Sequence, residues 1–200
     1  MPLTEGRLIE QYRLLHRGKY GNTSLKLIAR LLPHIRELAP ASILDYGCGQ
    51  SSLIDHLDYR QGVALYRYDP AIPDIATLPV EHVDLIINTD VLEHILESDI
   101  PDVLAHIASI ADNAIFSIDM TESEQILPNG SNAHCTVKGQ EWWERMLADY
   151  FKVIVPIRAS RPSKCMFKTW PSNALNAPRR FSEFLWLTAQ RKIFKKYLVA

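Results

Sequence analysis

The segment ILDYGCGQ, residues 43–50, carries the sharpest chemical signal in the chain. An apolar run bearing Asp45 ends in a turn with Gly47 and Gly49, whose missing β-carbons let the backbone bend tightly and approach a ligand. The turn lacks the full G-x-G-x-x-G pattern, since Ser52 stands three positions after Gly49, and no Gly-Lys-Ser/Thr sequence follows. A dinucleotide oxidoreductase and a phosphate-loop NTPase are therefore poor fits. A second group, Thr89, Asp90, Glu93 and His94, follows the apolar run VDLIIN. If a helix begins near Asp90, Asp90 and His94 lie four residues apart on one face, and Asp90 can orient the imidazole. His94 then reads either as a general base or as a residue that stabilises the helix, and Glu93 as a structural carboxylate. His134, in the polar stretch NGSNAH, is the other imidazole. With an unperturbed pKa of about 6.5 it can accept a hydroxyl or amine proton near neutral pH, or it can serve as a loop hydrogen-bonding group. No His/Cys group repeats at ligand spacing, so no metal ion is expected.

These side chains need elements to hold them. Short apolar runs at 42–47, 63–69, 83–88 and 114–119 alternate with helical stretches near 51–59 and 100–110, the latter opened by Pro101. Continuous apolar strands alternating with helices predict an α/β fold, a mainly parallel sheet covered by helices on both faces. Two helices precede the first strand, LTEGRLIEQYRLLHR and TSLKLIARLLPHIREL. Thr23 or Ser24 starts the second, and Pro33 is expected to bend or divide it. Tyr12, His16 and Tyr20 are candidates for a lid as well as for packing. After residue 119, a polar loop and the helical segment GQEWWERMLADY lead to FKVIVPIRA and KCMFKTW, an expected antiparallel final strand pair. Trp142, Trp143 and Met146 can wall an acceptor pocket or anchor the core.

ILDYGCGQ also resembles the first motif of class I S-adenosylmethionine-dependent methyltransferases, where an acidic strand residue precedes a glycine-rich cofactor loop. The resemblance extends to YDP at 68–70 at the end of the second strand, to VDLIINTDVLEHI at 83–95 for the fourth strand and its adjoining helix, and to AIFSIDM at 114–120 for the fifth. It implies a Rossmann-like sheet and S-adenosylmethionine as cofactor. Gly47 and Gly49 would receive the amino-acid and sulfonium end, Asp45 would support the loop or reach the ligand through water, and Asp69 would accept hydrogen bonds from the ribose hydroxyls. Leu78 and Asn88 complete the implied cofactor-binding set. In one place the chain departs from the family: only residues 70–73 separate Asp69 from DIATLP at 74–79, too few for the usual helix and third strand. Asp74 and Leu78 superficially match the family's adenine-contacting D-x-x-x-L-P pattern, and Asp74 reads equally as a surface turn carboxylate. A shortened or missing sheet edge is expected.

Two hundred residues with 47% hydrophobic content and a net charge of -1 suit one domain with small appendages and give no compositional argument for a nucleic-acid binder. Charge is uneven, with a net of +5 over residues 171–200 and -6 before them. The expected organisation is a helical cap over 1–40, a methyltransferase core over 41–170, and a basic connector and helix over 171–200. Cys48, Cys135 and Cys165 lack disulfide or metal spacing and fit a reducing, cytoplasmic location. The N-terminus has no signal-peptide core, and no apolar run approaches the roughly 18 residues of a membrane span. The resemblance implies a methyltransferase; with no strong amine- or nucleobase-selective motif and no obvious large recognition domain in the 200 residues, the expected acceptor is a small polar metabolite or sugar, methylated at oxygen, with His94, His134 and Asp90 as catalytic candidates. The alternatives are a methyltransferase acting on RNA, a nucleotide or a protein, and a noncatalytic cofactor-binding partner module. A protein partner or a homodimer fits either.

Overall fold

The computed structural model describes residues 3–18, 24–57 and 60–197; side chains are described within 8–18, 24–57 and 60–190. Helix α1 (Leu3–Leu15) is followed by a 3-10 turn over Ser24–Leu27 that runs into α2 (Ile28–Leu38). Strands β1 (Ser42–Tyr46), β2 (Ala64–Tyr68), β3 (Val83–Thr89) and β4 (Ala111–Asp119) are parallel. Helix α3 (Ile100–Ile110) lies between β3 and β4, and α4 (Gln140–Ala148) follows β4. The short β5 (Val155–Pro156) and β6 (Lys164–Lys168) are antiparallel neighbours, and α5 (Ala177–Tyr197) closes the described chain. The six strands lie in the order β2-β1-β3-β4-β6-β5, with β6 antiparallel to β4.

This is the expected α/β sheet with an antiparallel end. Successive strand residues point to opposite faces, and both faces are buried. Leu44 and Ile86 join one core with Leu104, Ile107, Trp143 and Leu147 of α3 and α4. Ile43, Leu85 and Ile87 join the other with Leu31 and Ile35 of α2.

Three local expectations change. The stretch 51–59, read as a helix, contains a 3-10 turn at Ile54–His56. Leu53, Ile54 and Leu57 are buried there, so its apolar side chains do serve the core, within a shorter connection. Pro33 lies inside α2, which continues through it. Proline removes a hydrogen-bond donor, but Leu31, Leu32, Pro33 and Ile35 are all buried, and that burial offsets the loss. No helix starts at Asp90: the chain there has φ +58°, makes a 3-10 turn over Leu92–His94, and enters α3 at Ile100.

The contraction after Asp69 has its counterpart in the sheet, where β2 is the outer strand and residues 73–75 form a 3-10 turn. At the other end of the chain, α5 packs on α2. Glu37 accepts hydrogen bonds from the Asn173 N–H at 3.1 Å and from Arg180, and pairs with Lys168 at 3.3 Å. Arg36 pairs with Glu183, and Arg30 stacks over Phe184. Phe181, Leu185 and Trp186 stay exposed on α5. Tyr20 and Thr23 lie outside the described residues, as do the side chains of Arg191, Lys192, Lys195 and Lys196. Among the described residues no helix is long and apolar enough to cross a membrane.

Candidate functional site

Parallel pairing sets the carboxyl ends of β1 to β4 along one edge of the sheet, where ligands of open α/β folds collect. A cavity of about 650 Å³ opens there. Gly47, Gly49 and Asp69 line one part, His94 and His134 another, and Tyr12 of α1 also faces it. The volume is that of an ordinary small-molecule site.

The glycine turn is built as its sequence requires. Gly47 has φ +76° and Gly49 φ +54°, in the left-handed region that favours glycine. The Gly47 and Cys48 N–H groups donate to the Tyr68 carbonyl at 2.8 and 3.2 Å, which ties the turn to the end of β2. Asp69 completes the tie. One of its oxygens accepts from the Gly49 N–H at 2.8 Å and the other from the Ala71 N–H at 2.9 Å. The carboxylate thus holds the loop as well as facing the cavity, a role sequence reasoning missed.

Asp45 lies under the turn, 1% exposed, and neither of its oxygens has a hydrogen-bond partner. Burial pushes its carboxyl up to about 7, against the pull of the Arg67 guanidinium. Asn88 is fully buried, and its amide donates to the Tyr46 carbonyl at 3.1 Å. Leu78 packs on the core formed with α3 and α4. Asp45, Asn88 and Leu78 are absent from the cavity wall, so their positions relate them to the loop and the core. Trp143 is a core residue stacked edge-on with Trp142, and neither tryptophan lines the cavity.

The acceptor-side residues meet in a different way from that expected. Without a helix at Asp90, Asp90 and His94 do not share a helical face. Asp90 pairs with Lys164 at 2.5 Å and accepts a hydrogen bond from the Ser117 hydroxyl. His94 Nδ1 lies 2.8 Å from the Ala133 carbonyl, and Tyr12 stands edge-on to its ring. The Tyr12 hydroxyl also donates to the Ala133 carbonyl, so α1 is fastened to the His94 region. The His94 and His134 ring centroids are 4.8 Å apart. The polar loop after β4 folds back onto the 3-10 turn, and the Thr136 N–H donates to the Glu93 carbonyl at 3.0 Å.

Electrostatics separate these groups. Burial holds His94 down at about 4, with the nearby His134 adding to the effect. Burial, reinforced by the Asp90 carboxylate, holds Glu93 above the usual carboxylate range. Burial would raise Asp119 too, but hydrogen bonds from Arg161 and Thr121 and the Lys164 charge outweigh it and leave Asp119 low. Lys164, 4% exposed, went unrecognised in the sequence as a site residue. Its position in a strand candidate was legible, and the register that sets it opposite Asp119 was not.

A family model described as a methyltransferase domain matches residues 15–181. The chain belongs to this methyltransferase-domain family. A search of curated proteins finds no match. Among solved structures, this methyltransferase-family chain is similar to 1,6-didemethyltoxoflavin-N1-methyltransferase from Burkholderia thailandensis, bound to 1,6-didemethyltoxoflavin and S-adenosylhomocysteine, at 14% identity and a TM-score of 0.60, over 86% of this chain and 92% of that one. It is also similar to an O-methyltransferase family protein from the same species, at 11% identity and a TM-score of 0.55 over 76% of this chain. Mitomycin 7-O-methyltransferase matches at 13% identity and a TM-score of 0.56 over 72% of this chain. The chain spans 58% and 53% of the length of those last two proteins. At these identities the likeness shows the fold.

Proposed function

We propose that the chain transfers a methyl group from S-adenosylmethionine to a small polar metabolite or sugar, at oxygen. One observation carries this reading: a single cavity has the left-handed glycine turn and Asp69 on its wall together with two adjacent imidazoles. Membership of the methyltransferase-domain family supports the same reaction class.

The residues fit the cofactor. Gly47 exposes backbone at a position where a β-carbon would collide with Val91, and Asp69 lies at the cavity wall with its carboxylate fixed by two N–H groups. Gly47 and Gly49 would meet the amino-acid end, and Asp69, using its remaining lone pairs, the ribose hydroxyls. S-adenosylmethionine, when bound, supplies a methyl group on a positively charged sulfur that is already a good leaving group. The chain's share is to hold the acceptor in line and keep water out. A hydroxyl acceptor must also lose its proton. His94, held at about 4, is a weak base at neutral pH, so positioning is its share, and the adjacent imidazole on the cavity wall, His134, takes the role of proton acceptor.

The test incubates the purified chain with S-adenosylmethionine and fractionated small metabolites. Formation of S-adenosylhomocysteine in step with a product heavier by one methylene group is the expected result. Tritium incorporation into RNA or protein fractions alone would move the acceptor to a macromolecule. Cofactor binding without any product across acceptor classes would leave a noncatalytic binding module.

A further inference from the structure

We propose that Glu93, His94 and His134 form a binding site for a divalent transition-metal ion in the cavity wall. Each of the three offers a ligating atom, and these atoms all lie within 4.8 Å of one another. All three residues line the cavity. Linear spacing conceals the group, because His134 arrives from a separate loop that folds back over the 3-10 turn carrying Glu93 and His94.

The side chains are oriented as ligands are. His94 Nδ1 faces the Ala133 carbonyl, and His134 Nδ1 faces the Thr121 carbonyl. A carbonyl oxygen only accepts, so each Nδ1 carries the proton and the basic lone pair of each ring is on Nε2. Histidine ligands are ordinarily fixed by this kind of N–H to carbonyl bond, which sets both tautomer and ring orientation. Glu93 adds an independent observation. It is 0% exposed; one oxygen accepts from the Asp119 N–H at 2.9 Å, and the other, Oε2, is buried with no hydrogen-bond partner. Leaving a buried carboxylate oxygen unpartnered is costly, and a cation beside it would remove that cost. The neighbouring ammonium of Lys164 is engaged by Asp90 at 2.5 Å.

Two imidazoles and one carboxylate suit manganese, iron, nickel or zinc, whereas magnesium and calcium favour all-oxygen sites. Three protein donors leave coordination positions for water or for an oxygen of the acceptor. The use of those positions to hold a hydroxyl or carboxylate acceptor rests on the methyl-transfer reading; the binding claim does not. With the ion in place both imidazoles would serve as ligands, and the ion would lower the pKa of a coordinated acceptor hydroxyl, whose proton would pass to solvent water instead of to His134.

The experiment strips the full chain with a chelator and titrates it calorimetrically with Mn²⁺, Zn²⁺ and Mg²⁺, using Co²⁺ absorption as a signature of nitrogen ligation. We expect one Mn²⁺ or Zn²⁺ per chain, little affinity for Mg²⁺, and affinity at least about tenfold lower in His134→Ala and in Glu93→Gln. Binding of S-adenosylhomocysteine by both variants verifies that they are folded. Glu93→Gln keeps an acceptor for the Asp119 N–H, so a folding loss confined to His134→Ala does not spoil the test. Absence of stoichiometric binding overturns the site, as does binding unchanged in both variants. Metal binding without methyl transfer would preserve the site and refute the catalytic reading, and methyl transfer by a chain that binds no metal would do the reverse.

Discussion

Val91 stands so close to Gly47 that a β-carbon on the glycine would lie 2.7 Å from a Val91 methyl group. Two elements meet at this contact, the turn after β1 and the segment after β3. Gly47→Ala therefore faces a steric clash and a left-handed backbone together. The backbone term is about 1–2 kcal/mol and overpacking typically adds about 1–3 kcal/mol. We expect a lower melting temperature and weaker S-adenosylhomocysteine binding. The double variant with Val91→Ala should recover only the steric part, and equal stability of Gly47→Ala and the native chain would refute the assignment.

Asp69 bridges the Gly49 and Ala71 N–H groups, and its loss should loosen the glycine turn. Asp69→Ala should weaken cofactor binding by an amount on the order of 2 kcal/mol. Asp69→Asn retains one carbonyl acceptor and should fall between the two. Calorimetric titration with S-adenosylhomocysteine distinguishes these outcomes, and native affinity in folded Asp69→Ala would exclude any cofactor role.

Glu37 ties α5 to the core through the Asn173 N–H, Arg180 and the fully buried Lys168. Burial would raise its pKa, but these partners outweigh burial and leave it below its ordinary value of 4.5. The unfolded chain then takes up this proton first as pH falls. The stabilisation is fully present above about 4.5 and is lost as pH drops through the folded value. Glu37→Gln should remove that part of the acid dependence. It should also destabilise at neutral pH by about 3–5 kcal/mol, because Lys168 is left without its carboxylate. Urea unfolding across a pH series measures both, and an unchanged acid limb would show that Glu37 is not the titrating group.

Replacing His94 or His134 by Ala should spare S-adenosylhomocysteine binding, since neither side chain belongs to the glycine turn. Single-turnover methyl transfer should fall, by about 100- to 10,000-fold where a proton transfer is lost and by less where only orientation is lost. Native rates in both folded variants would remove the histidine pair from the reaction.

The alternation of apolar strands with helices was readable because it is a local periodicity, and the sheet follows from it. The glycine turn was equally readable: Gly47 and Gly49 are there because backbone conformation and a close contact demand it. Short-range spacing served less well at 51–59, where Leu53, Ile54 and Leu57 are buried from a 3-10 connection, and at Asp90, whose left-handed backbone ends the helical spacing assumed for Asp90 and His94. Tertiary structure alone decided the rest. Antiparallel register sets Lys164 opposite Asp119, the loop after β4 brings His134 against His94, and Glu37 gathers partners from β6, α5 and the connector between them. These contacts join residues far apart in the chain, and they are set by burial and hydrogen bonding across packed elements, for which the local sequence carries no period.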